Sequence, residues 1–286
     1  MRAVITRPTP ESEAWLAGLR AAGHEALALP LIEISAVKDP KPVLAAWQSV
    51  SAYQAIMFVS AAAVTHFFSV VRDMHIAQHL GQTRCWATGP GTRKRLLAAG
   101  VPDALIDAPS AESGQFDSEA LWQLVAPHVV PTRPVLIVRG TDANPSADTD
   151  EPAKPSMSAQ PSELEQPAPA TTQLQGVGRD WLANTLHNAG VPVHWVVSYQ
   201  RAAPQWHAAQ RQQALQASSD GSVWCFSSSQ AIVFLQTLLP QHHWSAVRCI
   251  VTHERIAEAA RRVGFGQVVV SRPVLAEVVS SLESMA

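Results

Sequence analysis

Small hydroxyl residues, glycines and arginines at strand-to-helix junctions are where this sequence could do chemistry. Val59-Ser60-Ala61-Ala62 and Phe226-Ser227-Ser228-Ser229 both pass from an apolar run into a helical pattern through such residues. Free backbone N–H groups at a helix start, reinforced by the helix dipole, bind carboxylate or phosphate. The same serines also act as ordinary N-caps. A third junction, Ala87-Thr88-Gly89-Pro90-Gly91-Thr92, is Gly-rich but is neither a Walker loop nor a GxGxxG fingerprint. It reads either as a tight turn with a Thr cap or as an anion-binding turn. Arg7 and Arg139 each follow a short apolar run directly, at the end of a strand where ligands bind, and a guanidinium there can fork onto a carboxylate. Tyr199 is one of only two tyrosines. It lies on an extended segment from which a phenol can donate a proton or a hydrogen bond.

Other chemistries find no support. The eleven histidines are undirected, and His242-His243 sits in a polar loop where adjacent side chains cannot both face one metal. There is no GxSxG, no HExxH and no Cys/His nucleophile pair, so neither a metal nor a covalent catalyst is expected. Cys85, Cys225 and Cys249 are far apart, each inside an apolar run, and read as buried thiols of a reducing compartment. A formal net charge of −2 argues against a general nucleic-acid binder. No apolar run reaches the length of a membrane span, and the N-terminus enters Ala3-Val4-Ile5-Thr6 without a basic, apolar leader. A cytoplasmic protein without membrane partners is expected.

The elements that position these junctions follow a βα rhythm. Short strands are predicted over Ala3–Thr6, Glu25–Leu29, Ile56–Val59, Arg84–Ala87, Ala104–Ile106, Val135–Val138, His194–Ser198, Val223–Phe226, Cys249–Val251 and Gln267–Val270. Helices lie between most of them, with stops at Gly23, Gly100 and Gly264. Asp117 or Ser118 can cap the helix that runs through Leu124. Leu31–Val37 and Tyr199–Pro204 read as extended crossings. Short apolar strands alternating with helices imply parallel sheets covered on both faces.

The rhythm is written twice. Phe58–Val64 and Phe226–Ile232 echo each other at an offset of 168, and Arg84-Cys85 echoes Arg248-Cys249 at an offset of 164. Trp181-Leu182-Ala183 before Ala189-Gly190 repeats Trp15-Leu16-Ala17 before Ala22-Gly23. Echoes in the same order point to two copies of one unit, hence two α/β domains with strand ends facing a cleft. Thr141–Val177 breaks the pattern with six prolines, six acidic residues, one lysine and no aromatic residue. A disordered surface insertion is expected there. It carries −5, leaving −2 − (−5) = +3 on the rest of the chain, which permits an anionic ligand.

In its ordered sum the chain resembles the uroporphyrinogen-III synthase family. The residues that carry the resemblance are Thr6-Arg7-Pro8, Leu29–Ile34, Ser60–Val64, Gly89–Thr92, Arg139-Gly140, Gly178-Arg179-Asp180-Trp181-Leu182, Tyr199–Pro204 and Ser227-Ser228-Ser229. The resemblance covers nearly the whole chain outside Thr141–Val177. One departure is Thr252-His253-Glu254-Arg255, where Arg255 stands in place of a family Thr. The resemblance implies a cofactor-free lyase that closes linear hydroxymethylbilane into uroporphyrinogen III, losing water and inverting the D ring through azafulvene and spiro intermediates. It also implies two α/β domains joined by a two-stranded ladder. One is discontinuous, residues 1–34 plus 204–286; residues 35–38 and 199–203 form the ladder, and residues 39–198 form the second domain.

On this reading Tyr199 is the catalytic acid. Arg7, Ser60, Ala61, Gly89, Thr92, Arg139, Gly140, Ser227, Ser228, Ser229, Thr252 and Arg255 bind the acetate and propionate arms. No metal or cofactor is expected, and the protein is expected to be a monomer. The competing class is a two-lobed binder of small anionic molecules without chemistry. A glycosyltransferase-like enzyme would need a nucleotide site, and no such signature is visible.

Overall fold

The computed structural model describes residues 1–71, 75–109, 118–143 and 181–285. In chain order the first elements are β1 (Arg2–Ile5), α1 (Thr9–Ala21), β2 (Glu25–Ala28), β3 (Glu33–Ala36) and α2 (Lys41–Gln48). Then come β4 (Ala55–Phe58), α3 (Ala61–Ser69), α4 (Ile76–Leu80), β5 (Arg84–Ala87), α5 (Pro90–Ala98) and β6 (Ile106–Asp107). These lead to α6 (Ser118–Val125), β7 (Val135–Asp142), α7 (Trp181–Asn188) and β8 (Val193–Ala202). The last are α8 (Ala208–Ala217), β9 (Val223–Phe226), α9 (Ser229–Leu238), β10 (Arg248–Val251), α10 (Glu254–Val263), β11 (Gln267–Val270) and α11 (Leu275–Ser284).

The chain divides into two compact units, Met1–Ser35 with Arg201–Ala286, and Ala36–Gln200. The first holds a five-stranded sheet in the order β11-β10-β9-β1-β2, parallel throughout. Successive side chains on a strand point to opposite faces, and both faces here are buried. Val4, Trp224, Phe226, Cys249 and Val251 pack with residues of α8, α9 and α10 on one side. Ala3, Ile5, Val223 and Ile250 pack with Leu19 of α1 and with Val278 and Leu282 of α11 on the other. That double cover explains why these strands read as continuous apolar runs.

The second unit is built on a six-stranded sheet in the order β3-β8-β7-β4-β5-β6, with β4 parallel to β5 and β7, and β5 parallel to β6. Ala55, Met57, Trp86, Val135 and Ile137 face Leu121 and Val125 of α6 and Leu182 and Leu186 of α7. An aromatic cluster also forms, in which Phe58 meets Phe67 edge-on at 5.6 Å and Trp47 of α2 meets Phe67 at 5.8 Å.

The duplication survives in three dimensions. β9 is β4 shifted by 168 residues and β10 is β5 shifted by 164, with identical lengths. Ala3 pairs with Val223 as Val135 pairs with Ala55, so β1 and β7 hold corresponding places in register. Gly100 and Gly264 both adopt left-handed backbone, at φ 91° and 95°, just after α5 and α10. A side chain there would be strained, which is why glycine stops both helices.

Several expectations need correction. β7 continues through Arg139, Gly140, Thr141 and Asp142, so Arg139 lies inside a strand rather than after one. The first two residues of the expected insertion are therefore ordered strand; the rest of it beyond Ala143 lies outside the described residues, as do Gly178-Arg179-Asp180 and the Asp117 cap. β8 is one ten-residue strand, and Tyr199 is part of it rather than of a separate crossing. β3 and β8 pair with each other at the edge of the six-stranded sheet. Helix α2 was not expected; Val43 and Trp47, four residues apart, give it its buried face. The short α4 was not expected either.

Candidate active site

In the second unit, the carboxyl ends of β4 and β7 meet a residue of β8. Ser60 follows β4 and caps α3, its Oγ accepting the Ala63 N–H at 3.1 Å. The same Oγ lies 3.0 Å from the Tyr199 hydroxyl, 139 residues away in sequence. Tyr199 is buried, and its ring rests against Gly140 of β7: a Cβ added to Gly140 would stand 2.3 Å from the carbon bearing the phenol oxygen. Glycine at 140 is thus the space the phenol occupies. Gly140 is placed to position Tyr199, a role the sequence reading did not give it.

His66, on α3, stacks on the Tyr199 ring with centroids 5.9 Å apart and planes 25° from parallel. Burial lowers its pKa, and the nearby Arg95 adds to the effect, both favouring the neutral imidazole. Arg95 is itself held by a hydrogen bond from Nε to Thr65 Oγ1 at 2.7 Å. No sequence signal singled out His66. Its place in α3 one and a half turns beyond Ser60 was the only hint.

At the neighbouring strand end Gly89 occupies the N-cap position of α5 without a side-chain cap. Pro90, which has no N–H, is the first helical residue, and Thr92 is buried in the first turn. The early N–H donors of such an uncapped helix look outward for acceptors. Arg139 has its guanidinium carbon 4.2 Å from the Trp195 ring centre, Trp195 being on the adjacent strand β8.

In the first unit, Arg7, Ser227 and Thr252 line one cavity together with Trp15 and Cys225. Arg7 stacks over Trp15 at 4.5 Å and pairs with Glu11, four residues on, at 3.6 Å. Burial lowers the Arg7 pKa, opposed by the charge of Glu11. Ser228 rather than Ser227 is the N-cap of α9, its Oγ accepting from Gln230 N–H at 3.2 Å. Ser60 and Ser228 are the true counterparts, at the offset of 168. Ser227 instead matches Val59, and Ser229, like Ala61, is the first helical residue.

The fourth junction differs from expectation in its register. His253 caps α10 through Nδ1, accepting from the Arg255 N–H at 3.1 Å. By the offset of 164, Arg255 takes the place of Gly91, while the place of Thr92 is taken by the buried Ile256. Arg255 therefore does not replace a hydroxyl. The structure thus gathers Ser60, Gly140 and Tyr199 in one unit, and Arg7, Ser227 and Thr252 in the other. Ala61, Gly89 and Thr92 stand at helix starts of the second unit, and Ser228, Ser229 and Arg255 at those of the first, without joining either cluster.

Among the described residues no group of His, Cys, Asp and Glu could hold a metal ion, and no helix is long and apolar enough to cross a membrane. The three thiols are pushed up to about 12 by burial above all, which removes them as nucleophiles near neutral pH.

What these features define is a duplicated α/β protein with parallel-dominated sheets, carrying helix starts at its strand ends, a phenol–hydroxyl pair beside one of them, and an arginine stacked on a tryptophan in each unit. Comparison with known proteins takes this further. The family described as "Uroporphyrinogen-III synthase HemD" matches residues 13–147 and 162–278. The chain belongs to the uroporphyrinogen-III synthase family. It is 28% identical over 286 residues to the uroporphyrinogen-III synthase of Salmonella typhimurium, covering 95% of each chain. Two solved structures share the fold at 16% identity. One is the uroporphyrinogen-III synthetase of Helicobacter pylori, with a TM-score of 0.57 and all of both chains covered. The other is a mutant synthase from Thermus thermophilus, with a TM-score of 0.53 and 100% and 98% covered.

Proposed function

We propose that this chain is a uroporphyrinogen-III synthase that closes hydroxymethylbilane into uroporphyrinogen III, with loss of water and inversion of the D ring. The observation that carries the mechanism is the Ser60–Tyr199 contact at 3.0 Å, held against Gly140. A phenol donates one proton and a serine hydroxyl both donates and accepts. The Ser60 Oγ already accepts from Ala63 N–H, so the pair forms a short chain through which one O–H can be directed at a ligand.

In the reaction the hydroxymethyl C–O bond breaks, its electron pair leaving on oxygen. Tyr199 supplies a proton, so that the oxygen departs as water, and the pyrrole lone pair forms the azafulvene. The D ring attacks through the spiro intermediate, which opens and recloses with that ring inverted. A proton lost as the last pyrrole regains aromaticity balances the one supplied, leaving loss of one water as the net change. The chain's own part is to hold and orient: Arg7, Arg139 and the helix starts at Ser60, Gly89, Ser228 and His253 offer donors to the acetate and propionate arms. Hydrogen bonds to charged groups contribute about 1.5–3 kcal/mol each, so a few such contacts fix a flexible chain with its ends close together. Bringing those ends together accounts for much of the rate. No cofactor enters these steps, and a monomeric, cytoplasmic enzyme fits them.

The test is to supply hydroxymethylbilane to the wild-type protein and to Tyr199→Phe, and to separate the isomers formed. Type III from the wild type, with the variant slowed far more in kcat than in KM, is the expected result. Type I alone from the wild type refutes the activity.

A further inference from the structure

The duplicated units each hold one arginine on a tryptophan, by different means. Because Ala3 pairs with Val223 as Val135 pairs with Ala55, β1 and β7 correspond at an offset of 132, and four residues further along this places Arg7 and Arg139 at equivalent positions. Arg7 lies 4.5 Å over the ring of Trp15, from helix α1, and Arg139 lies 4.2 Å over the ring of Trp195, from strand β8. The two tryptophans are not sequence counterparts, since the echo of Trp15 is Trp181. The shared geometry therefore does not follow from the shared sequence.

Stacking engages the flat face of a guanidinium and leaves its N–H edge free to fork onto a carboxylate in its own plane. The two seats differ in one respect. Arg7 already has the Glu11 carboxylate at 3.6 Å, whereas among the described residues no carboxylate pairs with Arg139.

We propose that Arg139 and Trp195 form an open carboxylate seat in which Trp195 is the positioning residue. Arg7 and Trp15 form its counterpart, and Glu11 fills that seat with the chain's own carboxylate until a ligand carboxylate displaces it. The ligand is a polycarboxylate, and its identity as hydroxymethylbilane rests on the function proposed above. Glu11 is nearly half exposed, so it can swing away without leaving a buried charge.

The experiment compares wild type, R139A, W195A, W195F, the double variant R139A/W195A and E11Q for KM and kcat with hydroxymethylbilane, with urea midpoints recorded alongside. R139A is expected to raise KM about tenfold, which is about 1.4 kcal/mol, with much less change in kcat. W195A should do the same, the double variant should be no worse than R139A, and W195F should recover most of the loss because a phenyl face still stacks. E11Q should lower KM about two- to threefold, the removed competitor being a single exposed charge. A wild-type KM in W195A, or independent, multiplying effects of R139A and W195A, overturns the open seat. An unchanged KM in E11Q overturns the role of Glu11. If the wild type forms no uroporphyrinogen III, the activity fails and the seat is judged by the Kd for uroporphyrin, a stable tetrapyrrole polycarboxylate. Unchanged Kd in both R139A and W195A then refutes the seat separately.

Discussion

Gly140→Ala adds one carbon at the point where β7 and Tyr199 come closest. The new Cβ would stand 2.3 Å from the phenol carbon of Tyr199, and at 2.4 and 2.8 Å from its neighbours, where ordinary contact begins near 3.4 Å. The ring must therefore retreat by about 1 Å, since β7 is hydrogen-bonded within its sheet and cannot give as easily. The Tyr199–Ser60 distance of 3.0 Å then approaches about 4 Å, beyond hydrogen-bond reach. Overpacking of this kind costs about 1–3 kcal/mol of stability, and the lost hydrogen bond accounts for about 1 kcal/mol of it. A catalytic group misplaced by about 1 Å costs about 10²-fold in rate.

The assay is kcat for uroporphyrinogen III formation, alongside a urea unfolding curve. The control is Gly266→Ala, whose Cβ would meet the Ser245 backbone oxygen at 1.9 Å in the other unit. It should lose stability and keep its kcat. A folded Gly140→Ala protein with kcat within about twofold of wild type would refute both the packing argument and the role given to Tyr199.

Other expectations follow from the same geometry. Ser60→Ala removes both the α3 cap and the partner of Tyr199, so it should destabilise by about 1 kcal/mol and lower kcat; unfolding curves and initial rates check the two effects separately. The thiols of Cys85, Cys225 and Cys249 are raised from 9.0 to about 12, chiefly by burial. Groups that hold their protons more tightly when folded contribute stability that is full below the unfolded pKa and is lost as pH rises through the folded one. Stability should fall between about pH 9 and 12, and native protein should resist alkylation at pH 8 while reacting in urea; equal rates in both would contradict the burial. Deleting residues 148–161, which the family does not match, should leave activity intact, and a large loss in a folded deletion protein would show that the segment takes part in function.

Much of the fold was legible because the apolar runs of doubly covered strands need no context. The bounds of β5, β9 and β11 coincide with those expected, and the internal echoes at 168 and 164 residues map onto paired strands. What was missed depended on partners. Arg-Gly-Thr-Asp reads as the end of a strand, yet β7 runs through it, as ladder pairing overrides polar composition. Lys41–Gln48 follows Asp39-Pro40, and Asp39 Oδ1 accepts the Lys41 N–H at 3.0 Å. But the burial of Trp47 against Phe67 that gives α2 its packed face is a distant contact. The site was legible by residue type at Arg7, Ser60 and Tyr199. That Tyr199 meets Ser60, that Gly140 makes room for it, and that His66 covers its ring are contacts across 59 to 139 residues, which local pattern cannot show. At α10 the offset of 164 already matched Arg255 to Gly91. The family motif alone drew it to the place of Thr92.

The central claim is that the chain makes the inverted isomer. Purified protein given hydroxymethylbilane, with the products oxidised and resolved as type I and type III porphyrins, tests it most directly. The account predicts type III in large excess, falling back toward type I in Tyr199→Phe. Type I alone, formed at the rate seen without protein, would contradict it.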